Sequence, residues 1–419
     1  MTAEIQHTID AVWRMESAKL IAGLTRIVGD IGMAEDFAQD ALVAALDRWP
    51  ASGVPDNPAA WLMGTAKHRA IDHLRRSKML ERKHEEIGRE LADWQDAAAT
   101  DIDEAIDDHV GDDLLRLIFT TCHPVLSTDA RAALTLRLLG GLTSAEIARA
   151  FLSTEPTIQQ RIVRAKKTLA DAKVPFEVPR GSDLDARLAS VLEVIYLVFN
   201  EGYSATSGDD WVRPNLCEDA MRLGRVLAEL QPREPEVHGL VALMEIQASR
   251  LRARTDAAGK PVLLLEQDRG RWDHVLIRRG LTAIARARSL GQEPGPYLLQ
   301  AEIAACHARA GTASETDWAR IAGLYGELAQ IMPTPVVELN RAVAIGMANG
   351  PAAGLALADR LLSEKSMARY HLLPSVRGDF LAKLGRNDEA RAEFLRAAEL
   401  TQNAREREML LERAAGQAN

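Results

Sequence analysis

The stretch from Leu142 to Lys173, LTSAEIARAFLSTEPTIQQRIVRAKKTLADAK, constrains this chain most, because it reads as a helix, a tight turn and a second helix. Thr143 followed three residues later by Glu146 predicts a capping box, in which the threonine oxygen takes one orphan amide and the glutamate reaches back to another. Ile147, Ala148, Phe151 and Leu152 then supply one apolar face. Ser153 and Thr154 offer new caps, Glu155 suits the positive end of a helix, and Pro156 fits a first turn. Along the second helix Ile158, Ile162, Val163 and Leu169 are expected in the core, while Arg161, Arg164, Lys166, Lys167 and Lys173 meet the single acid Asp171. Its early residues Thr157, Gln159 and Gln160 are groups of the kind that bond base edges or phosphates when a helix enters the major groove. A solvated helical hairpin has the same spacing, so this stretch alone leaves both readings open.

A chain of 419 residues exceeds one compact core and predicts two or three domains. Aromatic residues are few and alanine, leucine and arginine dominate, which favours an all-α protein. Cys122, Cys217 and Cys306 lie far apart without a CxxC, so buried thiols are expected rather than a disulfide framework or a zinc knuckle. No cleavable signal and no membrane-spanning stretch is evident, so a cytoplasmic protein without a membrane partner is expected. The net charge of −9 argues against indiscriminate DNA binding, and any DNA contact must be local.

Charge is partitioned accordingly. Between Trp61 and His84, Lys67, Arg69, Arg75, Arg76, Lys78, Arg82 and Lys83 face only Asp72 and Glu81. From Glu85 to Asp113 twelve acids meet the lone base Arg89, the composition of a linker between two modules. Three helices are expected before it. The first covers roughly residues 9–28. The second places Ala34, Phe37, Ala38, Ala41, Leu42, Ala45, Leu46 and Trp49 on a buried face and Glu35, Asp36, Gln39, Asp40 and Asp47 on an acidic one, ending at Pro50. That acidic face suits a basic partner or plain solvation. Asn57 and Pro58 cap the third, which runs to about Leu80 with Met63, Ala66, Ala70, Ile71 and Leu74 in its core stripe. Trp61, near its start, can pack or stack on an unpaired base.

Together, MAEDFAQDALVAAL, NPAAWLMGTAKHRAIDHLRR and TSAEIARAFLSTEPTIQQRIVRAKKTL resemble regions 2 and 4 of a bacterial sigma factor of the extracytoplasmic-function group. Ala34, Glu35, Asp36, Gln39 and Asp40 match the family's polymerase-binding helix. Trp61, Leu62, Ala66, Ala70, Ile71, Asp72, Arg75 and Arg76 match its promoter-melting helix. Thr157, Arg161, Arg164, Ala165 and Lys166 match the helix that reads the minus-35 element. His68 stands where the melting motif commonly has asparagine, and Gln159 and Gln160 replace a lysine-serine pair, departures that bear on promoter sequence. The segment FTTCHPVLS, Phe119 to Ser127, resembles the start of region 4 in a subgroup with a long tetratricopeptide-like C-terminal extension.

Beyond Pro175, Pro179 and Gly181 the helical pattern continues to the end, with paired helices at roughly 34-residue spacing that suggest a solenoid. The clearest unit is His371 to Asn403, where Gly378, Leu381, Gly385, Ala390, Phe394 and Ala397 fall at tetratricopeptide offsets. Two stretches do not fit repeat logic: FNEGY (Phe199 to Tyr203) and DRGRWD (Asp268 to Asp273). Glu201, Asp268, Arg269 and Asp273 could form acid-base or metal constellations, or serve as capped turns and buried ion pairs. No phosphate loop, nucleophile elbow, HExxH or Rossmann fingerprint appears, so no enzyme, cofactor or metal is expected.

The expected fold is all-α: a region 2 bundle over 1–84, an acidic linker over 85–113, a region 4 helix-turn-helix domain over 114–175, and a tetratricopeptide-like α-solenoid over 176–419. The resemblance implies core RNA polymerase, through its beta and beta-prime subunits, and promoter DNA as partners, with a further protein or peptide on the repeats. Asp36, Gln39 and Asp40 would bind polymerase. Trp61, Lys67, Arg69, Arg75 and Arg76 would bind the minus-10 element, and Thr157, Gln159, Gln160, Arg161, Arg164 and Lys166 the minus-35 element. Apart from the sigma reading, a repeat-type adaptor and an enzyme using the acids near 199–203 and 268–273 remain as alternatives.

Overall fold

The computed structural model describes residues 2–86, 110–151, 153–203, 214–256, 260–401 and 403–417. Most of the expected acidic linker, 87–109, and Leu152 lie outside them. The described residues are helical, with one isolated antiparallel bridge, Thr255 to Pro261, and no strand. Two compact units divide the chain, Met1–Val194 and Ile195–Asn419.

Unit 1 opens with α1 (Thr2–Val28), α2 (Ile31–Ser52) and α3 (Pro58–Glu86), which pack on one another. Asp30 starts α2 by accepting the Met33 amide at 2.8 Å. The helix does not end at Pro50 as its sequence suggests; it runs to Ser52 and stops at Gly53, φ 84°. In a last turn a proline forfeits one bond, whereas left-handed backbone at Gly53 cannot propagate a helix. Ala34, Ala38, Ala41 and Ala45 are completely buried along one stripe of α2, and Ala66 and Ala70 likewise on α3. Such small side chains let the helices approach closely. Asn57 caps α3, accepting the Ala60 amide at 3.1 Å.

The next helix, α4 (Val110–Thr121), begins inside the expected linker. Its buried Asp113 accepts hydrogen bonds from Arg26 of α1 at 2.8 Å and Arg116 at 2.7 Å, pinning α4 to α1. Then follow α5 (Thr128–Leu138), capped by Ser127, α6 (Ser144–Ala150) and α7 (Glu155–Asp171). The capping box forms as read: the Glu146 amide donates to Thr143 Oγ1 at 3.2 Å, and Glu146 Oε2 accepts the Thr143 amide at 2.8 Å. Thr154 caps α7, with Pro156 in its first turn. Ile158, Ile162, Ala165 and Leu169 bury one face of α7. Val163, expected in the core, is 64% exposed. One residue past Ile162 on a 3.6-residue helix, it has turned about 100° away from that face.

The first half of α8 (Ser182–Tyr203), up to Val194, completes unit 1. Arg187 donates to the Phe119 carbonyl at 2.8 Å, and Ser190 Oγ donates to the Cys122 carbonyl at 2.6 Å. The buried guanidinium of Arg131 donates to Ser190, to Glu193 at 3.0 Å and to Thr128 at 3.0 Å. Phe119, Thr121 and Cys122 of the FTTCHPVLS segment are thereby sealed inside, and burial pushes the Cys122 thiol above its ordinary range.

Unit 2 continues with α9 (Pro214–Leu230), α10 (Pro235–Ala248), α11 (His274–Ser289), α12 (Pro296–Arg309), α13 (Trp318–Ile331), α14 (Pro335–Asn349), α15 (Pro351–Arg360), α16 (Leu372–Lys383), α17 (Asn387–Leu400) and α18 (Ala404–Gly416). Each packs on its neighbours in sequence, and α10 also packs on α12. Proline opens α10, α12, α14 and α15, where its missing amide is not needed. α10 stops at Ala248, and a 3-10 turn at Leu251–Ala253 redirects the chain. Between α16 and α17 a Cβ at Gly378 would lie 2.7 Å from the ring of Phe394, so glycine is what admits that buried ring.

Candidate polymerase and nucleic-acid interfaces

On α2 the side chains alternate between two environments. Asp36 and Asp40 are exposed, and Asp40 pairs with Arg69 of α3 at 2.8 Å. Gln39 is half-buried and donates to Glu35 Oε1 at 2.6 Å. Along α3, Arg69, Arg75 and Arg76 are exposed and Lys67 is half-buried. Trp61 packs edge-to-face on the buried Trp49 at 5.4 Å, a packing arrangement that leaves its ring partly accessible. Phe37 and His73 make a second such contact between α2 and α3 at 5.6 Å.

On α7, Thr157, Gln159, Gln160 and Arg164 share the solvent side. Gln159 bonds back to Glu155 at 3.2 Å, and Thr157 Oγ1 lies 2.7 Å from Thr154 Oγ1. Arg161 pairs with Asp129 of α5 at 3.3 Å. Lys166 pairs instead with Glu35 of α2. α6 thus leads through a short turn into α7, whose N-terminal half leaves polar and cationic groups accessible.

Comparison with known proteins bears on this geometry. Residues 13–79 match the model of Sigma-70 region 2, and residues 116–169 match that of Sigma-70, region 4. The chain belongs to the sigma-70 family. A third match, over residues 187–288, is to a family of unknown function, DUF6596. This sigma factor is 44% identical over 387 residues to an uncharacterized protein of Rhizobium meliloti, covering 92% of this chain and 90% of that protein. It is 29% identical over 176 residues to SigI of Mycobacterium tuberculosis, a probable ECF RNA polymerase sigma factor, covering 41% of this chain and 58% of that protein. With SigC of the same species, an ECF RNA polymerase sigma factor, it shares 27% over 174 residues, covering 41% of this chain and 83% of that protein. No solved structure matches.

The sigma factor's region 4 is docked on its region 2 through Glu35. The Glu35 side chain, 4% exposed, receives Arg137 of α5 at 2.6 Å and pairs with Lys166 of α7. Burial pushes its pKa up, but the charges of Lys166 and Arg137 outweigh burial and hold the carboxyl below the ordinary carboxylate range. Sequence reading places Glu35 on an acidic outer face with Asp36, yet it lies among the completely buried Ala34 and Ala38. Its 3-4 spacing with Ile31 and Ala38 was the available signal. Arg137 gives no signal in the sequence, because its partner is 102 residues away. No group of three His, Cys, Asp or Glu among the described residues is placed to hold a metal ion. No helix among them is long and apolar enough to cross a membrane.

Proposed function

We propose that this sigma factor selects its promoter through two separate faces and docks core RNA polymerase through a third. Asp36 and Asp40, with Gln39 beside them, form an acidic strip complementary to a basic polymerase surface on the beta or beta-prime subunit. Arg75 and Arg76 bond minus-10 phosphates, Lys67 and Arg69 add charge on the same helix, and Trp61 packs beside the melted strand. Thr157, Gln159, Gln160, Arg161 and Arg164 read the minus-35 groove. Lys166 joins them only when it leaves Glu35, so promoter engagement and the closed docking of region 4 compete for one ammonium group. Unit 2 acts as a fused regulatory domain, a helical-repeat array offering a protein or peptide surface.

The observation that carries this reading is the division of α7, with four apolar residues buried on one side and Thr157, Gln159, Gln160 and Arg164 accessible on the other. The test is transcription in vitro with purified core polymerase and the full chain on genomic fragments. Start sites that appear only with the chain, and vanish with Arg164→Ala and Gln160→Ala, are expected. Absence of any chain-dependent start site would refute the reading.

A further inference from the structure

Unit 2 contains a concentration of arginine that the sigma reading does not use. Several arginines of this unit pair with carboxylates: Arg225 with Glu245, Arg288 and Arg320 with Glu302, Arg377 with Asp359 and Glu393. Those around the DRGRWD turn do not. Among the described residues, Arg250, Arg252, Arg269 and Arg271 have no carboxylate oxygen within 4.0 Å. The two acids of the motif are engaged with the backbone: Asp268 accepts the Gly270 amide at 2.9 Å, and Asp273 accepts those of Val275 and Leu276 at 2.9 and 3.1 Å. Four arginines here outnumber the two carboxylates of the motif, in a chain of net charge −9.

The arginines gather on aromatic faces. Arg269 lies 4.9 Å from the centre of the Trp272 ring, and Arg250 lies 5.9 Å from that ring and 5.7 Å from Tyr203. Arg269 is held rigidly by the carbonyls of His307 and Ala310 and by Thr316. Behind the cluster, Trp272 Nε1, His307 Nδ1, Tyr203 OH and Arg250 Nε are buried without a hydrogen-bond partner. Trp272 is 4% and His307 8% exposed, so these are unmatched polar atoms in nine-tenths-buried side chains. In front of Trp272 a cleft of about 490 Å³ is lined by Arg252, Gly270, Arg271, Trp272 and Asp273.

We propose that this cleft binds a small ligand bearing an oxyanion, a phosphate or a carboxylate, and that unit 2 thereby senses it. Arg252 and Arg271 are exposed and planar-forked, suited to gripping two oxygens each. Trp272 forms an apolar wall for the rest of the ligand. Arg250 and Arg269, both partly buried and within 5.9 Å of the Trp272 ring, add attraction. Glu315 is the acid whose charge acts on Arg269, and Tyr203 the group acting on Arg250; neither forms an ion pair there.

The experiment is titration calorimetry on the full chain with inorganic phosphate and with citrate as probes, against sodium chloride at matched ionic strength. Saturable binding of phosphate, citrate or both is expected, the two arms distinguishing the oxyanions, with no heat beyond dilution for chloride. Arg271→Gln and Arg252→Gln alter exposed residues and keep the fold; each loses one charged grip and is expected to weaken binding roughly tenfold or more. Arg271→Lys, which keeps the charge without the fork, falls between. Two results would overturn the proposal: neither probe binding with a Kd below about 10 mM, or the double glutamine variant binding as tightly as the parent.

Discussion

Replacing Glu35 with glutamine tests the docking of region 4 on region 2. The change keeps shape and removes the charge that Arg137 and Lys166 share. Removing one partner of a buried ion pair costs about 3–5 kcal/mol. Here the two cations are 23% and 21% exposed and recover part of their hydration, so about 2–3 kcal/mol is expected. That corresponds to a roughly 30- to 150-fold shift in the docking equilibrium. Amide hydrogen exchange is the suitable assay, because two units make a single unfolding midpoint ambiguous. Peptides from α5 and α7 should exchange faster by that factor, while those from α16 and α17 stay unchanged. Equal rates in α5 and α7 of parent and variant would refute the claim that the ion triad holds region 4 in place. Acid should act in the same direction. Because the cations depress the Glu35 pKa, its contribution is fully present above about 4.5 and is lost as pH falls through the lower folded value.

Asp40→Ala breaks only an exposed pair with Arg69, so thermal stability should change by no more than about 0.5 kcal/mol, while affinity for core polymerase, measured by fluorescence anisotropy, drops roughly tenfold or more. Removing Arg75 or Arg76 should lower the salt-dependence slope of holoenzyme binding to promoter DNA by about one each, uniformly across sequences. His307 is buried 5.1 Å from Trp318, and burial, with Arg250 and Arg269 adding to it, lowers its pKa to about 4. Its unfolded state binds the extra proton, so unit 2 should lose about 3 kcal/mol as pH falls from 6.5 to 4, and His307→Gln should flatten that dependence in denaturant titrations. Phe394→Ala empties the slot admitted by Gly378 and should cost about 3–5 kcal/mol in the same titrations.

Much of the architecture was readable from local chemistry. The capping box at Thr143, the cap at Thr154 with Pro156, and the asparagine before Pro58 each specify a helix start through atoms within a few residues, and all three form. What escaped depends on partners distant in sequence. Arg131 reaches Ser190 and Glu193, and Arg137 reaches Glu35, across spans that carry no periodicity. Pro175 and Gly181 punctuate the chain, yet the first half of α8 belongs with unit 1, because Arg187 and Ser190 satisfy carbonyls at Phe119 and Cys122. Of the DNA-facing candidates, Gln160 and Arg164 lie where the periodicity puts them. Lys166 lies two residues on from Arg164, and two steps of a 3.6-residue helix swing it onto Glu35.

Because successive residues on α2 are turned about 100° from one another, the acids at 36 and 40 are accessible while Glu35 is covered. On the proposed docking, an incoming polymerase would capture the outer strip before the inner triad lets go. Association should then proceed in two observable phases, a concentration-dependent encounter followed by a unimolecular release whose rate is set by the chain and not by its partner.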